Sequence, residues 1–355
     1  MTCGARGICE DCVTFASQFD TCQLTLAGDL ELSGAVAYNT TNHELRASGE
    51  TMPVARMMLE TKAGDIDAIL AHDLRFAAGA TLRAIGARPL AIVASGSIVL
   101  GALASIDAGV GGAGALPACA TPPGPGGDTV DSEPGGGGGA GGGGAGYGAS
   151  GGRGGDGDAN GILTLGGAAG SSRAMPAGPT GGCPGARGGL GNVLGGSDGG
   201  WGGGALYIVA ADRIDLGSGA ILIAGGGGGH GGLIDGGGGG GGGGSGGMIW
   251  LEAPHVSSAQ AVIAVNGGGG GEGGDGDQPG NDGLAGSPSV DRAPGGIGAT
   301  LNGGAGGRGG SKLGVAGESV STPANGGGGG GGGSVGFIRV VSDDAQLGTV
   351  SPDPS

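Results

Sequence analysis

Nine consecutive glycines at residues 236–244 and eight at 326–333, with five-residue runs starting at Gly135, Gly225 and Gly267, leave this chain few ways to fold. A glycine run buries no side chain and forfeits more backbone entropy on ordering than any other sequence. It is therefore a flexible linker, or its peptide groups find partners laterally. An extended threefold helix of the polyproline II type makes no internal hydrogen bonds and points its N–H and C=O groups sideways. Without Cβ atoms, several such helices can approach closely and bond to one another. The runs are nearly pure glycine, whereas flexible linkers are usually diluted with Ser, Lys or Glu, which favours an ordered bundle. Single large apolar residues (Leu163, Leu165, Leu190, Val193, Leu194, Trp201, Leu233 and Ile234) stand within or beside the runs, where they are expected to plug a small core.

A repeat lies under the glycine. Four segments end in the same small-x-large-x-small pattern: ATLRA at 80–84, ASIDA at 104–108, AILIA at 220–224 and AVIAV at 261–265. This alternation is the period of two of a half-buried strand. Before each stands a second strand with Leu74, Ile98, Ile214 or Val256 in the equivalent place. Before that stands another, with Leu90-x-Ile92-x-Ala94, Leu206-x-Ile208-x-Ala210, Ile249-x-Leu251-x-Ala253 and Ile338-x-Val340. The first two copies are 23 residues apart, a length that suits three short strands and three turns of one parallel β-helix coil. Such a coil needs neighbours to bury its apolar face. Its inward ladder is expected to run Ile69, Ile92, Ile208, Leu251, Val340.

The extra length between later copies always enters after the third strand, at Gly109, Gly225 and Gly267, so the glycine-rich excursions leave one corner of the scaffold. Their ends are thereby held together, which lowers the closure cost. The fold class read here is all-β, a parallel β-helix-like solenoid with glycine-rich excursions forming a polyglycine II bundle. The segments are a Cys-containing N-terminal cap (1–65), first coils (66–108), an excursion (109–203), a coil (204–224), an excursion (225–247), a coil (248–266), an excursion (267–335), and a last strand with tail (336–355).

Acids outnumber bases 31 to 15, for a net charge of −16, so there is no basic patch with which to bind nucleic acid. No 18-residue apolar stretch provides a transmembrane segment. Six cysteines are present: Cys3, Cys9, Cys12 and Cys22 cluster at the start, while Cys119 and Cys183 lie far apart. Thiols on glycine-rich loops have no apolar pocket, and an even number reads as disulfides in an oxidising compartment. Cys119 and Cys183 share one excursion and are expected to pair. The N-terminal four read as two disulfides, with free thiols or a small zinc site as the alternatives. The start lacks a secretory signal, so an extracellular or cell-surface home implies a leader outside this sequence.

The stretch GGGxGG, then MIWLEAP (248–254), then AVIAVNGGGGG (261–271) resembles glycine-rich secreted or surface proteins of myxobacterial type. It is also similar in composition to the glycine-rich domain of anaplastic lymphoma kinase-type receptors. The resemblance implies β-helix-like repeats alternating with polyglycine, and roles in display or adhesion.

Chemistry is sparse. His43, His72, His230 and His255 read as solvated turn residues. Asp212 and Asp215, with Asp73 aligned to Asp212, are the best carboxylates for a carbohydrate-active alternative. Asp275, Asp277 and Asp282 offer closely spaced oxygens of the kind calcium takes, although a solvated acidic loop accounts for them as well, and Asp156-Gly-Asp158-Ala-Asn160 is a weaker case. The expectation is a non-enzymatic structural or adhesive protein without cofactor, binding an extracellular or surface partner that the sequence does not identify; the alternatives are a carbohydrate-active β-helix enzyme and an ice- or ligand-binding module.

Overall fold

The computed structural model describes residues 15–24, 27–129, 137–191, 196–234, 237–311, 314–320 and 325–354. Among these the protein is all-β apart from a three-residue 3-10 turn. One sheet has six strands, in the spatial order Phe337–Val341, Met248–Glu252, Ala205–Ala210, Leu90–Ala94, Gly64–Ala71 and Ala55–Thr61. All neighbours are parallel except the last pair. The second sheet has twelve strands and is parallel until it reaches the Ala35–Asn39, Glu44–Ala47 and Glu50–Met52 meander at its end.

The registers follow from side-chain alternation. Ile69, Ile92, Ile208, Leu251 and Val340 are successive Cα partners across the six-stranded sheet. Leu74, Ile98, Ile214 and Val256 are partners in the larger sheet, as are Leu82, Ile106, Leu222 and Ile263. These rows belong to one buried cluster between the sheets. A one-residue slip would turn each row outward, which is why register is so firmly set. A second cluster, with Tyr207, Trp250, Phe337 and Tyr147, covers the outer face of the six-stranded sheet.

The register also extends further toward the N-terminus than the repeat alignment reached. Leu30 pairs with Leu74, and Val36 with Leu82. This end holds a buried polar group: Asp67, in register with Leu90, accepts from the Tyr38 hydroxyl at 2.9 Å and lies 2.8 Å from His43 Nδ1. His43 is therefore not a solvated turn residue; its ring leans on a fully buried carboxylate.

The glycine runs are held by lateral hydrogen bonds that recur every third residue. Gly139, Gly142 and Ala145 donate to Gly237, Gly240 and Gly243. Ala140 and Gly143 donate to Gly127 and Gly124, while Gly141 and Gly144 donate to Gly155 and Gly152. Four segments lie inside: 137–147, 237–247, 266–275 and 326–336. Each is bonded to six neighbours. Segment 237–247 donates to 181–191, 225–233 (and Ala224 beyond it) and 326–336, and accepts from 137–147, 198–204 and 266–275. Around these four runs a closed ring, bonded from each member to the next: 150–156, 166–173, 123–129, 181–191, 198–204, 225–233, 280–286, 293–297, 302–310 and 314–320.

Glycine is required inside because backbones meet there. A Cβ on Gly240 would collide with the Gly271 carbonyl, and one on Gly330 with that of Gly241. Neither glycine has positive φ, so the demand is for space and not for unusual dihedrals. Cys119 and Cys183 are joined, with Cα atoms 5.7 Å apart, and tie the bundle to the outer cluster. Cys22 is also disulfide-bonded, while Cys3, Cys9 and Cys12 lie outside the described residues.

Two outcomes follow. Gly240→Ala should destabilise the protein by about 1–3 kcal/mol, the usual cost of overpacking. Gly276→Ala, where a Cβ meets nothing within 4 Å, should stay within about 0.5 kcal/mol. Equal unfolding midpoints for the two variants would refute the close-packed interior. Cys119→Ser opens a bridge with a sequence separation of 64. It should cost roughly 4 kcal/mol in chemical unfolding, and a loss under about 1 kcal/mol would contradict this.

Candidate interaction surface

The ring segments differ from the interior in one respect. At many of their turns, one residue in three points away from the lattice. In 150–156 the order Gly-Gly-Arg153-Gly-Gly-Asp156 leaves Arg153 exposed and Asp156 partly so, with the glycines between them buried. Four successive ring members repeat the device with a polar residue followed three positions later by a large apolar one. These are Arg187 and Leu190, Asp198 and Trp201, His230 and Leu233, and Asn281 and Leu284. A threefold helix advances about 9 Å over that spacing.

The antiparallel bonding of these four segments aligns the side chains in rows. Gly227 donates to Trp201, and Gly283 to Gly229, so Trp201 and Leu284 stand near one level. Val110 of the scaffold corner lies within van der Waals reach of Gly227, beside Trp201. The next level carries charge: Arg187 faces Asp128, His230 donates its backbone N–H to Asp198, and its ring lies 3.4 Å from Asp282. Leu190, Leu233 and Ile234 stand beyond that level. The apolar members are 39% (Leu190), 57% (Trp201), 50% (Leu233) and 58% (Leu284) exposed.

This corrects the expectation that Leu163, Leu165, Leu190, Trp201, Leu233 and Ile234 plug a small core. All six are exposed, and Leu165 is 69% exposed. Segments that touch through their backbones leave no interior room for a side chain, so the large residues of the ring are forced outward. Val193 and Leu194 lie outside the described residues. The local Gly-Gly-x triplets were the sequence signal for this arrangement.

The carboxylates of the bundle are engaged with its own backbone. Glu272, almost fully buried, accepts from the backbone of Asn281, Ala299 and Thr300 and from the Thr300 hydroxyl. Asp275 accepts from Asp277 and Gln278 through one oxygen and from Leu301 through the other. Asp282 accepts from Gly231. Asp275, Asp277 and Asp282 are not brought together as a ligand set. Among the described residues, the group with ligand atoms all within 4.8 Å of one another is Asp29, His72 and Asp73, each exposed.

On the scaffold, Asp212 and Asp215 both bind Arg213 at 2.8 Å, and Asp212 also accepts from the Ser97 hydroxyl. Asp73 accepts the Ser97 backbone N–H at 2.7 Å. Asp73, Asp29, Glu31, Ser97 and Arg213 line a cleft of about 350 Å³. His72, His230 and His255 are exposed, as expected, but only His72 lies at a bend: His230 sits in the extended ring segment 225–233 and His255 opens the strand His255–Ala264. No helix among the described residues is long and apolar enough to cross a membrane. No protein-family model, curated protein or solved structure matches the chain.

Three carboxyls sit below the ordinary range. For Asp128 the Leu190 N–H is the main cause, helped by Arg187 against a burial penalty. For Asp156 and Asp275 burial pushes upward but is outweighed, by the Gly166 N–H and Arg153 in the first case. In the second, the N–H groups of Asp277, Leu301 and Gln278 prevail. A carboxyl depressed on folding contributes fully above its unfolded value of about 3.9 and is lost as pH falls through the folded value. Thermal stability should therefore fall as pH drops below about 4. Asp275→Asn should flatten that decline, and an unchanged slope would show that Asp275 does not contribute to it.

Proposed function

We propose that this is a non-enzymatic, exported structural or adhesive surface protein. In this reading the stacked strands coil as a β-helix-like solenoid, and the glycine-rich excursions form a polyglycine II bundle. The arrangement is of the kind implied by the resemblance to glycine-rich secreted proteins of myxobacterial type. The observation that carries the reading is the set of apolar side chains standing outward on successive ring segments. A protein with a free choice of core positions buries Trp and Leu. Here they are displayed from a backbone lattice that bonds every neighbouring segment to the next. Contiguous exposed apolar residues with charged neighbours mark interaction sites.

Disulfide use supports an oxidising compartment. The carbohydrate-active alternative draws little from Asp212 and Asp215, since both are held on Arg213.

Adsorption of the purified protein to alkyl-coated beads tests the display reading. One apolar side chain fully buried in a contact supplies about 1.5–3 kcal/mol, so Leu190→Ser, Trp201→Ser and Leu233→Ser together should weaken adsorption roughly tenfold or more. The melting temperature should be unchanged, because these side chains support no core. Undiminished adsorption would overturn the reading. So would shortening of a polysaccharide that disappears on Asp212→Asn.

A further inference from the structure

The outer face of the six-stranded sheet carries one side chain out of keeping with its row. Leu70, Val93, Val209, Glu252 and Val341 are successive register partners, so a carboxylate occupies a place that is otherwise apolar in every strand. Glu252 is 8% exposed. Its Oε2 accepts from the Tyr207 hydroxyl at 2.5 Å and from the Ser17 hydroxyl at 2.9 Å. Burial, followed by the Glu252 charge, pushes the Tyr207 phenol well above its ordinary range, so Tyr207 stays a donor. Neither donor is charged. Among the described residues no Lys, Arg or His forms an ion pair with Glu252, and the nearby Arg339 lies over the Trp250 ring instead.

A buried carboxylate without a cation is costly unless something supplies the charge. Glu252 lines a cleft of about 430 Å³ whose walls include Phe15, Pro254 and Val341, with Asp343 as a second carboxylate. Both hydroxyls bond to Oε2; among the described residues none donates to Oε1 of Glu252, and the residue lines the cleft. We propose that this cleft binds a primary ammonium group on an apolar stem, as in the lysine side chain of a partner polypeptide. The apolar walls suit the methylene stem, and Glu252 and Asp343 suit the charge. Because both hydroxyls occupy Oε2, one oxygen of Glu252 remains, which suits the point charge of an ammonium. A guanidinium fork needs two. The cleft lies on the β scaffold, so this inference goes beyond the display reading of the bundle and does not depend on it.

The test is an NMR titration of the full chain at neutral pH with N-α-acetyl-lysine N-methylamide and its norleucine and arginine counterparts. The lysine probe should shift signals around the Glu252 cleft saturably, and the norleucine probe should bind at least about tenfold more weakly. Glu252→Gln keeps the acceptor for Tyr207 and Ser17 while removing the charge, and should weaken the lysine probe by about the same factor. Asp343→Asn, a change at the cleft edge, should weaken it by roughly threefold and provides a second variant if Glu252→Gln does not fold. No saturable shift with lysine, or equal affinity for norleucine, overturns the site. Equal affinity for arginine overturns the ammonium assignment.

Discussion

The structure depends on backbone groups approaching more closely than a Cβ permits. In the four interior segments, run after run of peptide groups finds its partners on adjacent segments, and the neighbouring carbonyl occupies the space a side chain would need. Ordering a glycine costs about 1–2 kcal/mol of backbone entropy. That cost is offset only because the lateral bonds are made and shielded together. Lateral pairing therefore accounts for both the purity of the runs and their number. A single run would have no partners, whereas segment 237–247 has six.

The β scaffold supplies the alignment that the glycine runs lack. Segments 198–204, 237–247 and 326–336 lead directly into Ala205–Ala210, Met248–Glu252 and Phe337–Val341. The bonding continues across the junctions, with Met248 donating to Gly204 and Phe337 to Gly247. A polyglycine chain has no side chains with which to set its register. Here the apolar rows of the strands set it, and the lattice inherits it. This arrangement also leaves the outward apolar residues of the ring without a place in any core, and so available for contact.

Much of this was legible in the sequence, because the strands repeat a strong pattern. The alternation in ASIDA and AILIA located Ile106 against Leu222, and the pairing of Ile92 with Ile208 followed the same logic. The strands Leu30–Leu32 and Ala35–Asn39 were missed since they join the stack without sharing the motif. Leu190 and Trp201 were misread as core plugs because an apolar residue in a polar stretch ordinarily seeks burial. In a lattice of touching backbones that preference cannot be met. Asp67 and Glu252 could be located in the repeat but not interpreted. Their meaning rests on Tyr38, His43, Tyr207 and Ser17, which are distant in sequence and come together only in the fold.

Amide hydrogen exchange resolved along the chain tests the central claim most directly. If lateral bonding orders the glycine runs, the amides of 239–246 and 327–334 should exchange with protection close to that of the strands Ala205–Ala210 and Met248–Glu252, near the global unfolding limit. Exchange of these glycines at the rate of an unstructured peptide, with the strands still protected, would contradict the account.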